Sequence, residues 1–402
     1  MSERIVITGA GVISPLGAGI EEFERGLYAG LSGVRPSTLF GEQTITAEVP
    51  DFKPQQWLGN KGIRMLDRSA RLLCVAAYMA LSGSDLLHAE GTEGDPGLGM
   101  VCGTMFGGLH SITSFDWSGL EDGPNYVNPM EFPNTVINSP AGQAAIRYKL
   151  RGINSTVCAA LTSGLYAMNC AAEFLRFGRA RILLAGGVDE LCEESVLGFR
   201  KSGAISPSGC PRPFSKDRDG AVLGEGAAML VVESAETAAA RGAKPLVEVS
   251  GFGCAHDAES ITSFRLRAEG ATAAIEDALE TAGIAPDRIG CIVSSASGSR
   301  AGDEMEARAL QNIFKDRLSQ IPVCAPKAAL GETMGASGAL AALVGVLALG
   351  KQSAPPTSGF TGSETTLRLA ASPQPFEGEY ALVNAFGCDG NNASLVLRKW
   401  SE

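Results

Sequence analysis

Hydrophobic patterning switches back and forth between two periods along this chain, in two successive series. Short apolar runs suited to buried strands recur at Ile5–Ile7, Gly97–Cys102, Arg181–Leu184 and Ala228–Val232, separated by stretches of helical periodicity such as Arg68–Ser82 and Ser163–Phe177. A second series begins at Lys244–Val249 and continues through Gly290–Ser294, Tyr380–Asn384 and Ser394–Leu397, with helical stretches at Thr272–Ala282, Asp303–Phe314 and Gly335–Leu349. Alternation of this kind demands helices layered on sheets, an α/β fold. Both series close in paired short strands joined by glycine-rich turns, so the chain reads as two similar halves, 1–245 and 246–402. Two unrelated α/β domains would give the same patterning.

With 402 residues the chain has ample capacity to bury a core, and its net charge of −11 argues against a nucleic-acid surface, which needs clustered Lys and Arg. Ten cysteines are scattered with no C-x-x-C pair and no metal-like spacing, as expected of small buried hydrophobes in a reducing compartment. Met1–Gly9 runs straight into a strand pattern without the features of a signal peptide. The longest apolar stretch, Gly335–Leu349, is Gly/Ala-rich and bounded by loop residues, so no membrane span is expected and the location expected is cytoplasmic.

One cysteine stands apart. In Asn154–Gly164 a β-type run gives way abruptly to a helical pattern, and Cys158 sits at the switch. A strand-to-helix turn offers unpaired N–H groups and the positive end of a helix dipole, both of which favour thiolate. A plain buried cysteine is the competing reading. The chain has only His88, His110 and His256, none placed to serve such a nucleophile. Three further stretches form a set with this turn and the Gly186–Glu190 that follows it: Arg4–Gly17, a glycine-rich turn after a strand that lacks the third glycine of a dinucleotide fingerprint, the charged Pro211–Gly220 leading to Gly224–Ala227, and the turn Asn384–Asn392.

Together these motifs resemble the β-ketoacyl-acyl-carrier-protein synthase family, its elongating (type II) members and their polyketide relatives above all. The similarity spans nearly the whole chain: V-I-T-G-x-G-x-x-S-P-x-G near the N-terminus, the Leu150–Cys158 segment, P-F-x-K-D-R-D-G-x-x-x-G-E-G, A-G-D-x-x-E at Ala301–Glu306, Pro326-Lys327, Gly335–Ala339 and the closing F-G-x-x-G-x-N. The resemblance implies a thiolase-type duplicated α/β/α/β/α sandwich and a dimer, as homodimer or as heterodimer with a homologue. It also implies acyl-phosphopantetheine delivered by an acyl-carrier protein as substrate, with no permanently bound cofactor and no metal. Carrier proteins are acidic, so docking would use Arg64, Arg68 and Arg71, or Arg200 and Lys201.

The same resemblance implies acyl transfer to Cys158, decarboxylation of a malonyl thioester, and attack of the carbanion on the acyl-enzyme. The oxyanion donors would be the N–H groups of Cys158 and Cys388. The family's two histidines, which steady the enolate, are replaced. Ser297, or Ser295 if the loop is two residues shorter, stands for the first, and Glu332 for the second, in Lys327-Ala328-Ala329-Leu330-Gly331-Glu332. An ionised carboxylate only accepts hydrogen bonds and repels a developing enolate oxygen. The pantetheine contacts of the H-G-T-x-T motif are reduced to Ser299 and Arg300, and in the family's F-G-F-G-G loop the second aromatic is Cys388, two residues after Phe386. Lys327, Thr262 and Phe106 complete the expected substrate-binding set, with Phe106 at the far end of the acyl tunnel.

Three readings follow. Cys158 takes an acyl group and passes it on with little malonyl decarboxylation, Glu332 serving as general base, so that Cys158, Ser297 and Glu332 form a non-standard constellation. Alternatively the chain is a non-catalytic partner like a chain-length factor. Lastly, it is a conventional condensing enzyme rescued by other groups.

Overall fold

The computed structural model describes residues 3–88, 91–258, 263–363 and 365–401. Ten strands form its framework: β1 Ile5–Ser14, β2 Leu98–Gly103, β3 Asn154–Val157, β4 Ile182–Asp189, β5 Gly226–Ser234, β6 Val247–His256, β7 Ile289–Val293, β8 Val323–Cys324, β9 Tyr380–Phe386 and β10 Asn391–Lys399. Their spatial order is 8-7-9-10-6-1-5-4-2-3. Read inward from either edge, each set of five runs third, second, fourth, fifth, first. Directions repeat as well: the second strand is parallel to the third and fourth, while fourth, fifth and first are successively antiparallel. The two sets meet where β1 pairs with β6 through Val6–Glu248 and Ile7–Val247.

Helices fill the layers. Arg68–Gly83 (α1), N-capped by Asp67, which accepts the N–H of Ala70 at 2.7 Å, covers the outer face of the first set of strands. Ser163–Arg176 (α2) and Ser337–Lys351 (α5) lie between the two sets, and Glu269–Ala282 (α3) and Arg300–Phe314 (α4) cover the far face. Two outer apolar clusters and a central one that spans both faces of the middle helices bind five layers into the α/β/α/β/α arrangement. With both faces covered, β4 (I-L-L-A-G-G-V-D) is buried at every residue. Helix α5 is apolar all round because it is surrounded; Met334–Lys351 is long and apolar enough to cross a membrane, yet 83% of that window is buried inside the protein.

Gly9-Ala10-Gly11, expected to form a turn, lies within β1, which continues to Ser14 past a register shift between Ile7 and Gly9. The glycine is required by close packing instead. A Cβ at Gly11 would stand 2.1 Å from the Ala76 carbonyl oxygen and 2.5 Å from the Ala80 nitrogen of α1. A similar constraint joins the central helices. A Cβ on Gly164 would meet the Ala339 nitrogen at 2.6 Å, and one on Gly338 the Leu165 nitrogen at 2.7 Å, so the first turns of α2 and α5 touch backbone to backbone.

Candidate active site

Strand β3 is the outermost of its set, and Cys158 follows its last residue. Helix α2 begins five residues later, at Ser163, after a 3-10 turn over Ala160–Thr162 in which Ala160 takes φ +47°. The Ser163 hydroxyl oxygen accepts the N–H of Ala159 at 2.9 Å, and the exposed Cys158 thiol donates to the Met105 carbonyl at 3.4 Å. Its surroundings push the thiol above its ordinary pKa: desolvation first, then the Asp189 and Asp389 carboxylates, against an opposing contribution from the Ala160 N–H. These contributions run against the thiolate expected of this turn.

Glu332 is buried and fully engaged. One carboxylate oxygen accepts from the Lys327 ammonium at 2.6 Å; the other accepts from the Ser337 hydroxyl at 2.5 Å and from the Met334 N–H at 3.2 Å. Lys327 itself is only 7% exposed. Removing either partner would leave the other's charge buried without its counter-ion.

The serine loop 295–299 hangs from two acids of helix α4. Glu306 accepts from the Ser294 hydroxyl at 2.7 Å, the Ser295 N–H at 3.0 Å and the Asn384 amide at 2.9 Å. Asp303 accepts the N–H groups of Phe214, Ser297 and Gly298 at 2.8, 3.1 and 3.2 Å. Full burial raises both carboxyls, Asp303 to about 7, in spite of these donors. Ser295 is buried and its hydroxyl oxygen accepts the N–H of Phe386 at 2.9 Å, whereas Ser297 is half-buried. Ser299 caps α4, accepting from Gly302 N–H at 3.3 Å.

These groups converge on a cavity of about 630 Å³. Ser295, Ser297, Ser299, Lys327, Glu332 and Cys388 lie in its polar wall, which Glu194, Asp303, Glu306 and further serines complete, and Phe106, Leu161, Phe199, Phe264 and Phe386 lie in its apolar one. Phe106 meets Phe199 edge to face at 6.5 Å. Cys158 does not belong to this wall; it is joined to it through Met105 and Phe106. Asp189, at the end of β4, fixes that junction by accepting from the Thr104 hydroxyl and the N–H groups of Met105 and Gly335 at 2.6–2.7 Å and of Phe106 at 3.1 Å.

The structure thus brings together seven of the expected residues, Ser297, Glu332, Lys327, Cys388, Phe386, Ser299 and Phe106, and sets Cys158 beside them. Thr262 lies outside the described residues. No histidine lines the cavity among the described residues: His110 is exposed with Nδ1 3.2 Å from Glu194, His256 is exposed, and His88 lies elsewhere in the chain. Among the basic residues, Arg68 is bound by Glu225 at 2.7 and 2.5 Å, while Arg64, Arg200 and Lys201 are exposed. Sequence reading gave no role to Asp189, Asp303 or Glu306, although Gly186–Glu190 contained the first and the A-G-D-x-x-E motif the other two.

Comparison with known proteins agrees with this architecture. The N-terminal domain model of β-ketoacyl synthases matches residues 2–238 and the C-terminal domain model residues 246–361. The 3-oxoacyl-[acyl-carrier-protein] synthase 2 of Coxiella burnetii is 35% identical over 409 residues, covering 98% of both chains. The solved ishigamide ketosynthase/chain length factor superposes with a TM-score of 0.92 at 32% identity over the whole of both chains. A ketosynthase in complex with its chain length factor from Xenorhabdus doucetiae gives 0.82 at 25% identity, covering 99% of this chain and 98% of the other. Fold, motif order and two full-length domain matches lead to one conclusion: the chain belongs to the β-ketoacyl synthase family, the thiolase-fold acyl-transferring synthases of fatty-acid and polyketide assembly.

Proposed function

We propose that this chain serves carrier-protein-dependent acyl-chain assembly as a subunit that does not itself decarboxylate malonyl thioesters and that works beside a second, condensing chain. One observation carries the reading: the Lys327–Glu332 pair at 2.6 Å, in the cavity wall where decarboxylation needs hydrogen-bond donors. The enolate formed on loss of CO2 must be met by donors; Glu332 offers only acceptors, and its charge opposes the one being created. With both oxygens engaged, Glu332 is the counter-ion of Lys327 and is poorly placed as a general base.

The surface supports a protein partner. Helix Leu109–Glu121 buries none of its residues, and Trp117 and Leu120 are 59% and 80% exposed, with Tyr126, Met130, Phe132 and Ile146 exposed in the same stretch of chain. Large apolar side chains gathered in one exposed stretch of chain suit contact with a protein partner. The described edge strand β3 offers unpaired backbone groups as well. Solved neighbours of this chain include ketosynthases with chain length factors and one with its acyl-carrier protein. The reading includes the division into halves at 1–245 and 246–402, supported by the repeated strand order, docking of a carrier protein through Arg64, Arg200 and Lys201, and a cytoplasmic location.

The exposed thiol of Cys158 favours a second reading, acyl transfer in its own right. The Cys158 sulfur would bond to the thioester carbonyl carbon and the bond to the pantetheine sulfur would break. The thiol proton ends on the leaving sulfur, while the N–H groups of Cys158 and Cys388 receive the oxyanion. Intact-protein mass spectrometry after mixing with an acyl-carrier-protein thioester, with and without a histidine-bearing homologue, separates the two. Dependence of product on the homologue with no adduct on Cys158 supports the partner reading, and an adduct that Cys158→Ala removes supports the transferase. Release of CO2 from malonyl-carrier protein by the chain alone overturns both.

A further inference from the structure

We infer that the cavity selects by charge, admitting neutral acyl thioesters and rejecting those with a free carboxylate, and that Glu332 sets this preference. The inference rests on the proposed function and adds the class of thioester the site takes. Lys327 is the one cationic side chain in the described wall, and its ammonium is already bound to Glu332 at 2.6 Å. Glu306 is the next carboxylate in electrostatic reach of that ammonium. The cavity therefore holds no uncommitted cation for a malonyl carboxylate.

The remaining polar groups do not compensate. Beyond Lys327 the side-chain donors of the wall are uncharged, the hydroxyls of Ser195, Ser202, Ser263, Ser295, Ser297 and Ser299 and the Cys388 thiol, and they share it with four carboxyls, Glu194, Asp303, Glu306 and Glu332. Moving a carboxylate out of water requires several strong donors or a cation, and a second carboxylate nearby raises the penalty. A neutral acyl group meets Phe106, Phe199, Phe264 and Leu161 and needs no counter-charge.

The test compares malonyl-pantetheine with acetoacetyl-pantetheine, its neutral near-isostere, by calorimetric titration of the full chain carrying Cys158→Ala to prevent transfer. The expected result is an affinity for acetoacetyl-pantetheine at least tenfold above that for malonyl-pantetheine. Glu332→Gln, which leaves the Lys327 ammonium free, should narrow the ratio to threefold or less or reverse it. Lys327→Met/Glu332→Met, which removes both charges without stranding either, should also narrow it. Malonyl-pantetheine binding within threefold of the neutral thioester, binding of neither, or a ratio unmoved in the double variant overturns the inference. A chain that binds malonyl-pantetheine well and still releases no CO2 defeats this inference and leaves the proposed function standing, whereas CO2 release defeats the proposed function itself.

Discussion

Cys158 and Glu332 occupy the same place in the two halves of the fold. Each stands five residues before the Ser-Gly pair that opens a central helix, Ser163-Gly164 in α2 and Ser337-Gly338 in α5. Each is followed by a 3-10 turn entered at positive φ, +47° at Ala160 and +55° at Met334. Ser163 accepts the N–H of Ala159 at 2.9 Å and Ser337 that of Thr333 at 3.1 Å. The duplicated turn thus carries an exposed thiol in the first half and a buried carboxylate in the second.

The buried pair should behave as a unit in stability measurements. Removing one partner, by Lys327→Met or Glu332→Leu, strands the other charge and should cost about 3–5 kcal/mol. The double variant should lose markedly less than the sum of the two. Urea unfolding of the four proteins in a double-mutant cycle gives the coupling directly, and additive losses would show that the pair is not coupled.

Asp189 should control the junction between the cysteine turn and the cavity. Asp189→Asn leaves one acceptor oxygen for four donors and turns an amide N–H₂ toward some of them, an expected loss of about 1–3 kcal/mol. Gly335→Ala should be worse tolerated, since its Cβ would stand 2.5 Å from the Asp189 carboxylate and 2.6 Å from the Met105 nitrogen. Thermal melts measure the stability, and the rate of Cys158 modification by a small maleimide reports whether the Met105 carbonyl still holds the thiol.

Glu190 supplies a pH signature. Burial, reinforced by the Asp67 carboxylate and opposed by the Ser69 N–H, pushes its carboxyl from an ordinary value of 4.5 up to about 8. A raised folded pKa means that the native state holds the proton more tightly than the unfolded chain. Its stabilising contribution is complete below pH 4.5 and is lost as pH rises toward 8. Glu190→Gln removes this titration, so the stability of the variant relative to wild type should increase between pH 5 and pH 8. A difference independent of pH would contradict the assignment.

Cys158→Ala should leave stability within about 0.5 kcal/mol, because the side chain is exposed and its one bond is a weak thiol donation. It should also abolish any acyl adduct. Chemical denaturation and intact mass measured on the same sample check both halves of the expectation.

The layering and the duplication were legible in the sequence because buried strands and amphipathic helices leave different periods, and the helices at Arg68–Gly83 and Arg300–Phe314 lie close to where periodicity sets them. Gly9–Gly11 misled because a glycine demanded by helix-on-strand packing looks the same in sequence as one demanded by a turn. The residues at 297, 327, 332 and 388 were found through the resemblance of their motifs to the synthase family, and the structure gathers them in one wall. The thiol's environment was not legible: Asp189 and Asp389, which raise the Cys158 pKa, reach it only through the fold, from other turns. Asp189 left no signal beyond an acidic residue at a strand end. Three of its donors lie 83–85 residues earlier in the chain and the fourth 146 residues later.

The central claim is that a buried, ion-paired carboxylate in the cavity wall prevents decarboxylation by this chain alone. Its most direct test is the rate of labelled CO2 release from malonyl-carrier protein, measured for the isolated chain beside a histidine-bearing 3-oxoacyl-carrier-protein synthase under the same conditions. Loss of even one oxyanion-type donor typically slows such chemistry about 100- to 1,000-fold, so a rate at least that much lower is expected here. Release within about tenfold of the histidine-bearing enzyme would contradict the account, since that gap is smaller than the loss of a single donor.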